Sequence, residues 1–450
     1  MIAAGMLALA LALAPPPQAQ QAAPVESVEG YWEGAVVRDG SVRVARVDIR
    51  REGGGLKAAV SFSDFPHREF PPADVEQDGT RVTVRTGEEA MALVLDAAAD
   101  ELVGETGDAI PPVRVHLKRA LRPARPAVAS SDVTFRNGEV TLAGTLVAPP
   151  RPGPHPAVVW IHGRGGGTRE DYLGWARLLA ERGVASLVVD ARGHGRSTGD
   201  LGRSGLDDLA GDVLAAVAFA ASRPEIDAKQ IGLRGHSAGG WVAAYVAARS
   251  TVPVAFVITS AGPAESVRDQ QIHVARHTMR QSGVPFTEAE YRDAEAHMAL
   301  VQDVAHTGRG WDELRASVER ARGQRWARFV DLPESDAYED IQWVRRHQYD
   351  PAADLRRIRA PFLAFFGERD AVVPPEENVA KLEGYLREAG NRDLTVVVVP
   401  RGGHSLATPG EVRKIAGRRG ENYYWIWPKL PAEVVLTTVD WVLAHVRVAK

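Results

Sequence analysis

The chain has no cysteine, which excludes disulfides, thiolate metal sites, a cysteine nucleophile and a lipidated cysteine anchor. It has no excess of charge either. Its 54 Lys and Arg face 58 Asp and Glu, so nothing electrostatic draws it to nucleic acid or to an anionic membrane. No H-E-x-x-H or comparable ligand cluster calls for a metal, and no G-x-G-x-x-G loop opens a dinucleotide unit. No metal and no cofactor are expected. The apolar run Ile2 to Ala14 is too short to span a bilayer, which argues against stable membrane insertion. Followed by Pro15, Pro16, Pro17 and a Gln/Ala stretch, it has the make-up of a signal-peptide core. No Lys or Arg precedes Arg38, so the positive end of that leader is reduced to the terminal amine. Residues 1–24 are expected to be either a signal peptide that directs a secreted or periplasmic protein or a disordered Ala-rich leader.

What is present is enough chain, 450 residues, for two or three compact units rather than one core. Residues 25–120 carry short alternating runs separated by Gly, Asp and Pro. Val113, Val115 and Leu117 alternate with Arg114, His116 and Lys118, and Val82 and Val84 alternate in the same way. This pattern predicts half-buried antiparallel strands in a small sandwich or barrel. Val42 and Val44 lie on the opposite parity from Val47 and Ile49, which predicts a bulge near Ala45 and Arg46. Residues 121–131 read as a linker. From 132 to 450 the pattern changes. A hairpin with Asn137-Gly138 at its turn is followed by continuous apolar runs: Ala157 to Ile161, Ala185 to Val189, Ile231 to Leu233, Val254 to Ile258, Phe362 to Phe366 and Leu394 to Val399. Such runs, separated by helical patterns, predict a mostly parallel sheet buried on both faces. Residues 261–360 break the alternation and predict a helical cap at the carboxyl edge of the sheet.

The chemistry-bearing motifs stand at strand ends. Gly235-His236-Ser237-Ala238-Gly239-Gly240 follows the strand ending at Arg234 and precedes a helical run. A serine on a tight strand-to-helix turn needs small neighbours, and the following helix points its first amides at developing negative charge. His162-Gly163-Arg164-Gly165-Gly166-Gly167 follows another buried strand, without the Lys-Ser/Thr pair of a phosphate loop. The amides of Arg164 and Ala238 are the candidate oxyanion donors, with Gly163 or Gly165 as alternatives to Arg164. Downstream, Gly367-Glu368-Arg369-Asp370 and Gly402-Gly403-His404 each follow a predicted strand, in the order serine, acid, histidine that such a sheet supports. Ser237 is the candidate nucleophile, His404 the base and Asp370 its orienter, with Glu265 as the competing acid. His236, Gly163 and Gly165 are candidate substrate contacts, although the ring of His236 is expected to turn from the serine oxygen into packing. His162 and the Asp190-to-Gly195 loop are expected to be structural. Tyr423, Tyr424, Trp425 and Trp427 either anchor the terminal helix or line a pocket.

With these motifs the chain resembles the secreted bacterial α/β-hydrolases of the dienelactone-hydrolase and prolyl-oligopeptidase-like superfamily, often preceded by an N-terminal β-domain. The resemblance rests on Tyr31-Trp32-Glu33-Gly34, Asp132-Val133-Thr134-Phe135, Gly144-Thr145-Leu146, His162-Gly163, the Ser237 turn, Gly367-Glu368-Arg369-Asp370, Gly403-His404 and the cap segment Thr307-Gly308-Arg309-Gly310-Trp311. It implies an α/β-hydrolase fold with a cap and a small all-β domain, and hydrolysis of a small-molecule ester or short peptide by the residues chosen from spacing. Arg164 departs from the small residue common there. Its guanidinium is expected either to serve structure, paired with a cap acid or facing solvent, or to meet a carboxylate on the substrate. Carboxylic ester hydrolysis is the first reading and a peptidase using the same triad the second. A binding protein whose β-domain carries the main role is a third, from another class. The segment from Gly30 to Leu117 is too short for a β-propeller gate, whose blades take roughly 40 residues each.

Overall fold

A computed structural model describes residues 27–38, 41–62, 72–86, 89–105, 112–123, 128–408, 412–417, 420–425 and 430–448. The expected leader lies outside them, as do the side chains of Tyr423, Tyr424, Trp425 and Trp427.

Strands β1 (Gly30–Arg38), β2 (Ser41–Glu52), β3 (Gly55–Phe62), β4 (Ala73–Asp78), β5 (Arg81–Thr86), β6 (Glu89–Asp96), β7 (Glu101–Glu105) and β8 (Arg114–Ala120) form a closed antiparallel barrel. An eight-stranded barrel encloses about the volume its own side chains fill. Here Trp32, Ile49, Val82, Leu95, Leu102 and Leu117 do so. Closure depends on Gly34, where a Cβ would lie 2.1 Å from the His116 carbonyl oxygen of β8. The bulge expected near Ala45 is absent. The β1–β2 register runs unbroken from Gly30 opposite Ile49 to Arg38 opposite Ser41. The inward row is Arg43, Ala45, Val47 and Ile49, while Val42 and Val44 face outward. Arg43 fits inside because its guanidinium lies over the Phe62 ring, 4.9 Å from the centroid.

The second unit begins with β9 (Ala129–Asn137) and β10 (Val140–Ala148). The expected linker therefore gives up Ala129, Ser130 and Ser131, which pair with Ala148, Val147 and Leu146. Asn137 pairs with Val140, so the turn residues are Gly138 and Glu139 rather than Asn137 and Gly138, and Gly138 takes the positive φ of 55°. The Asn137 side chain instead donates to Asp212, 2.8 Å away. Then come β11 (His155–Ile161), α1 (Glu170–Ala180), β12 (Ala185–Val189), α2 (Leu206–Ala221), β13 (Ile226–His236), α3 (Ala238–Arg249) and β14 (Val254–Ser260). The insertion carries α4 (Val267–Gln281), α5 (Glu288–Thr307), α6 (Trp311–Arg322), α7 (Glu339–Arg346) and the short α8 (Ala352–Leu355). The sheet resumes with β15 (Phe362–Gly367), α9 (Pro375–Glu388) and β16 (Leu394–Val399). A separate hairpin of β17 (Val412–Gly417) and β18 (Gly420–Trp425) precedes α10 (Ala432–His445).

The sheet order is β16-β15-β14-β13-β11-β12-β10-β9, parallel from β16 to β12 and antiparallel at β10 and β9. The continuous apolar runs are explained by two cores. Val158, Trp160, Val188, Ile258 and Phe365 meet α1 and α10 on one face. Val159, Ile161, Leu233, Val257 and Phe366 meet α2, α3 and α9 on the other. β16 is the exception: it is an edge strand, and Val398 is exposed. The insertion is not a loosely attached flap. Val301, Val304, Leu314, Val318, Ile341 and Val344 of α5, α6 and α7 belong to the same apolar cluster as the sheet. Arg249 of α3 also grips Asp354 of α8 through two hydrogen bonds of 3.1 and 3.0 Å.

Candidate active site

Ser237 sits between β13 and α3 with φ 53° and ψ −126°, a region that L-residues enter only when their surroundings force it. The glycines around it are required by contact. A Cβ on Gly235 would lie 2.2 Å from the Gly239 carbonyl oxygen, and one on Gly239 would lie 2.6 Å from that of His162. The Ser237 amide donates to the Ser260 carbonyl at 2.9 Å, and the Gly240 amide donates to the Ser237 carbonyl at 2.7 Å. One bond thus ties the turn to the end of β14 and the other closes it locally onto the start of α3.

The loops after β15 and β16 are laced together. The amide of Glu368 donates to the Val399 carbonyl and that of Arg369 to the Gly402 carbonyl, while the Glu368 carboxylate accepts from the Arg401 amide. A Cβ on Gly367 would lie 2.3 Å from the Gly403 oxygen, so only glycine permits this approach. The lacing places Asp370 beside His404. Asp370 Oδ1 accepts from the amides of Val372 and Val373 at 2.8 and 2.9 Å, and Oδ2 lies 2.9 Å from His404 Nδ1. An ionised carboxylate only accepts, so Nδ1 carries the proton and Nε2 is left as an acceptor. Ser237 Oγ is 2.9 Å from that Nε2. The Asp370 side chain is buried. This arrangement can move a proton from a serine hydroxyl to an imidazole whose tautomer is fixed.

The competing acid, Glu265, is engaged elsewhere: its buried carboxylate accepts from His273 and from Lys381 at 2.9 and 2.7 Å. His236 turns its Nδ1 to the Ser260 carbonyl, 3.1 Å away, and its ring packs 5.3 Å from that of His404. Burial, then the nearby His404 and Arg234, push its pKa down to about 4. Gly163 lies against the serine, because a Cβ there would be 3.3 Å from Ser237 Cβ. Gly165 faces open space. Ala238 opens α3 immediately after the serine. His162 braces its loop with Nε2 donating to the Val189 carbonyl at 2.9 Å. Asp190 is bound by Arg169, and Arg192 is bound by Asp212. Both belong to the scaffold.

Arg164 reaches the cap. Its guanidinium pairs with Asp340 and lies 4.2 Å over the Trp343 ring. Of the two readings of this residue, the pairing with a cap acid is the one seen. Asp331 lies close by, its pKa pushed up to about 6 by burial and then by the charge of Asp340.

Sequence reasoning missed Arg234 and Ser260. Arg234 lies between the rings of Trp160 and Trp175, at 4.8 and 4.9 Å, and donates to Ser260 Oγ at 3.0 Å. The Ser260 carbonyl in turn holds both Ser237 and His236. The available signal was an arginine at the end of the apolar run Ile231 to Leu233, directly before the serine turn. Burial lowers the Arg234 pKa to about 10. Among the described residues, His277, Glu376 and Glu377 bring ligand-type atoms within 4.8 Å of one another. His277 is hydrogen-bonded to Glu377 at 2.9 Å, and Arg280 stands 3.6 Å from Glu376, so the group reads as a salt-bridge cluster. No helix among the described residues is long and apolar enough to cross a membrane.

Residues 156–408 match the family described as alpha/beta hydrolase fold. The chain is 24% identical over 243 residues to an uncharacterised 31.7 kDa protein in the traX-finO intergenic region of Escherichia coli, a match that spans 53% of this chain and 80% of that protein. It is 23% identical over 277 residues to esterase EstD of Thermotoga maritima, spanning 59% of this chain and 58% of EstD. Among solved structures, a Pyrococcus furiosus esterase is 18% identical with a TM-score of 0.40, covering 63% of this chain and 88% of that one.

Proposed function

The chain belongs to the alpha/beta hydrolase fold family, and from that premise we propose that it is a serine hydrolase that cleaves carboxylic esters through an acyl-enzyme. The observation that carries this reading is the unbroken hydrogen-bonded series from Ser237 Oγ through His404 to Asp370, each link 2.9 Å, on a turn held at positive φ. His404 Nε2 takes the Ser237 proton as Oγ bonds to the ester carbonyl carbon. The oxyanion is held by the amides of Ala238 and Arg164. Collapse breaks the bond to the alcohol oxygen, which leaves with the proton from His404. Water then gives a proton to His404 as its oxygen bonds to the acyl carbon, and collapse breaks the bond to Ser237 Oγ, which takes that proton back from His404 Nε2 as the acid leaves. Asp370 keeps the imidazole in the working tautomer and stabilises its cation. The ester preference is supported by the likeness to EstD. Export to the periplasm or beyond is proposed from the apolar segment Ile2 to Ala14 and the Pro15-Pro16-Pro17 and Gln/Ala stretch that follows it.

The test is hydrolysis of p-nitrophenyl acetate and butyrate against aminoacyl p-nitroanilides, with fluorophosphonate labelling, by the full chain and by Ser237→Ala. Ester turnover and labelling are expected in the first, with a loss approaching ~10⁶-fold in the second. Retention of more than about a hundredth of the rate by Ser237→Ala on every substrate would overturn the assignment. Anilide cleavage exceeding ester cleavage would make the chain a peptidase.

A further inference from the structure

Asp370 reaches His404 from a stretch between β15 and α9 that is neither helix nor strand, residues 368–374. Such a stretch has no ladder of its own, so its peptide groups take their partners from elsewhere. Two of those partners are glutamines of the cap helix α4. Gln270 Nε2 donates to the Val372 carbonyl at 2.6 Å, and Gln281 Nε2 donates to the Arg369 carbonyl at 2.9 Å. Between them, His277 meets Glu377 in the first turn of α9 at 2.9 Å. Positions 270, 277 and 281 are spaced by seven and four, so one face of α4 lies along the acid's loop.

The Gln270 contact bears on the carboxylate itself. The Val372 carbonyl and the Val373 N–H are the two ends of one planar peptide unit. That N–H donates to Asp370 Oδ1 at 2.9 Å. Gln270 therefore grips the far side of the peptide that holds the carboxylate. A peptide unit with its carbonyl untethered can pivot and carry its N–H away from Oδ1. Tethering the carbonyl removes that pivot, and drawing on it polarises the N–H into a stronger donor. The side chain of Gln270 is buried, and its orientation is set. Its Oε1 accepts from Gln271 Nε2 at 2.6 Å, and exchanging its amide atoms would put oxygen against the Val372 carbonyl oxygen with no proton between them. The helix is anchored in turn. Val267 lies in the apolar cluster of the sheet, and Arg276 is bound to Glu295 of α5 at 2.6 Å.

We infer that Gln270 is a positioning residue for the acid of the triad. It fixes the 372–373 peptide, the peptide fixes the Asp370 carboxylate, and the carboxylate holds the His404 tautomer. The inference rests on the serine-hydrolase reading above. It makes the cap a part of the proton-transfer apparatus as well as a cover, because the outermost side chain of the series belongs to an insertion helix.

Hydrolysis of p-nitrophenyl butyrate is measured for the full chain and for Gln270→Met, which keeps the length of the side chain and removes the donor. Each is also combined with Asp370→Ala, with the enzyme concentration raised to keep the weaker pair above the blank. With Asp370 in place, kcat is expected to fall by roughly three- to tenfold, the worth of one neutral hydrogen bond, with KM held within about twofold. In the Asp370→Ala background the same substitution is expected to change kcat by less than about 1.5-fold, because the carboxylate through which it acts is gone. A residue that only stabilised the cap would cost the same factor in both backgrounds. Equal losses in the two backgrounds, a loss confined to KM, or an unchanged kcat in the folded variant overturns the inference. Gln270→Ala, which demands no repacking, takes the place of Gln270→Met if the latter does not fold. Fluorophosphonate labelling of the wild type separates the two levels. A labelled serine with kcat insensitive to Gln270 defeats this inference alone, whereas no labelling and no turnover defeats the serine-hydrolase reading and the inference with it.

Discussion

Arg164 and Asp340, 176 residues apart, join the loop after β11 to helix α7 of the cap through a charge pair reinforced by the Trp343 ring. Each partner is partly exposed, with side chains 38% and 29% accessible, so the pair itself contributes little, about 0–1 kcal/mol. Its effect is geometric. The peptide that precedes the guanidinium is a proposed oxyanion donor, and the cap holds the side chain that fixes it.

Arg164→Ser is therefore expected to lower kcat/KM for a neutral ester and for an isosteric ester bearing a free carboxylate by similar factors, because the guanidinium is engaged by Asp340. Steady-state kinetics on the two esters decide this. A loss on the carboxylate ester at least about tenfold larger would mean that the guanidinium leaves Asp340 to bind substrate, since a charge-assisted hydrogen bond is worth about 1.5–3 kcal/mol.

Asp370→Asn keeps an oxygen for the amides of Val372 and Val373 but offers an N–H to His404 Nδ1 in place of a lone pair. The imidazole then takes the opposite tautomer, with its proton facing Ser237. A fall of about 10⁴-fold in kcat is expected with little change in melting temperature. A loss below about tenfold would show that another acid orients the ring.

Asp331 gives a pH test. Its pKa is raised from 3.8 to about 6, so between those values the folded chain holds a proton that the unfolded chain releases. Asp331 contributes stability that is complete below about pH 4 and lost as pH rises through about 6. Asp331→Asn, neutral throughout, is expected to be more stable than the wild type at pH 7 by on the order of 2 kcal/mol, with the difference vanishing near pH 4. Denaturant midpoints at the two pH values measure it. An advantage that is equal at both pH values would remove the ionisation as its cause.

Gly34→Ala places a methyl where β1 meets β8, against backbone that has no rotamer to escape into. The barrel is expected to lose about 1–3 kcal/mol, seen as a lowered transition in thermal unfolding. An unchanged transition would mean that the strands separate freely.

The parallel sheet was legible because burial on both faces leaves an uninterrupted apolar run, and the loops carrying Ser237, Asp370 and His404 follow such runs directly. The barrel was legible in kind but not in facing. Val42 and Val44 look like core and are not, because the inward row accommodates Arg43 against Phe62 and continues through Ala45. Contacts that depend on where the cap lies had no local trace: neither the Arg164–Asp340 pair nor the elevated Asp331 follows from spacing. The Arg234–Ser260 support was visible only as an oddity, a cation closing the apolar run Ile231 to Leu233, whose meaning waits on the rings of Trp160 and Trp175.

The separation of 167 positions from Ser237 to His404 has a consequence for synthesis. The serine, its turn and the strands beneath it emerge first. The whole cap, β15 and β16 must follow before a base exists. At about 5–20 residues per second the nascent chain carries its nucleophile without a partner for on the order of 10–30 s. Hydrolytic competence on this reading comes with the closing strands of the sheet. A chain stalled or cut within the cap would therefore present a catalytically silent serine, and a serine-directed probe would count finished molecules rather than all that were begun.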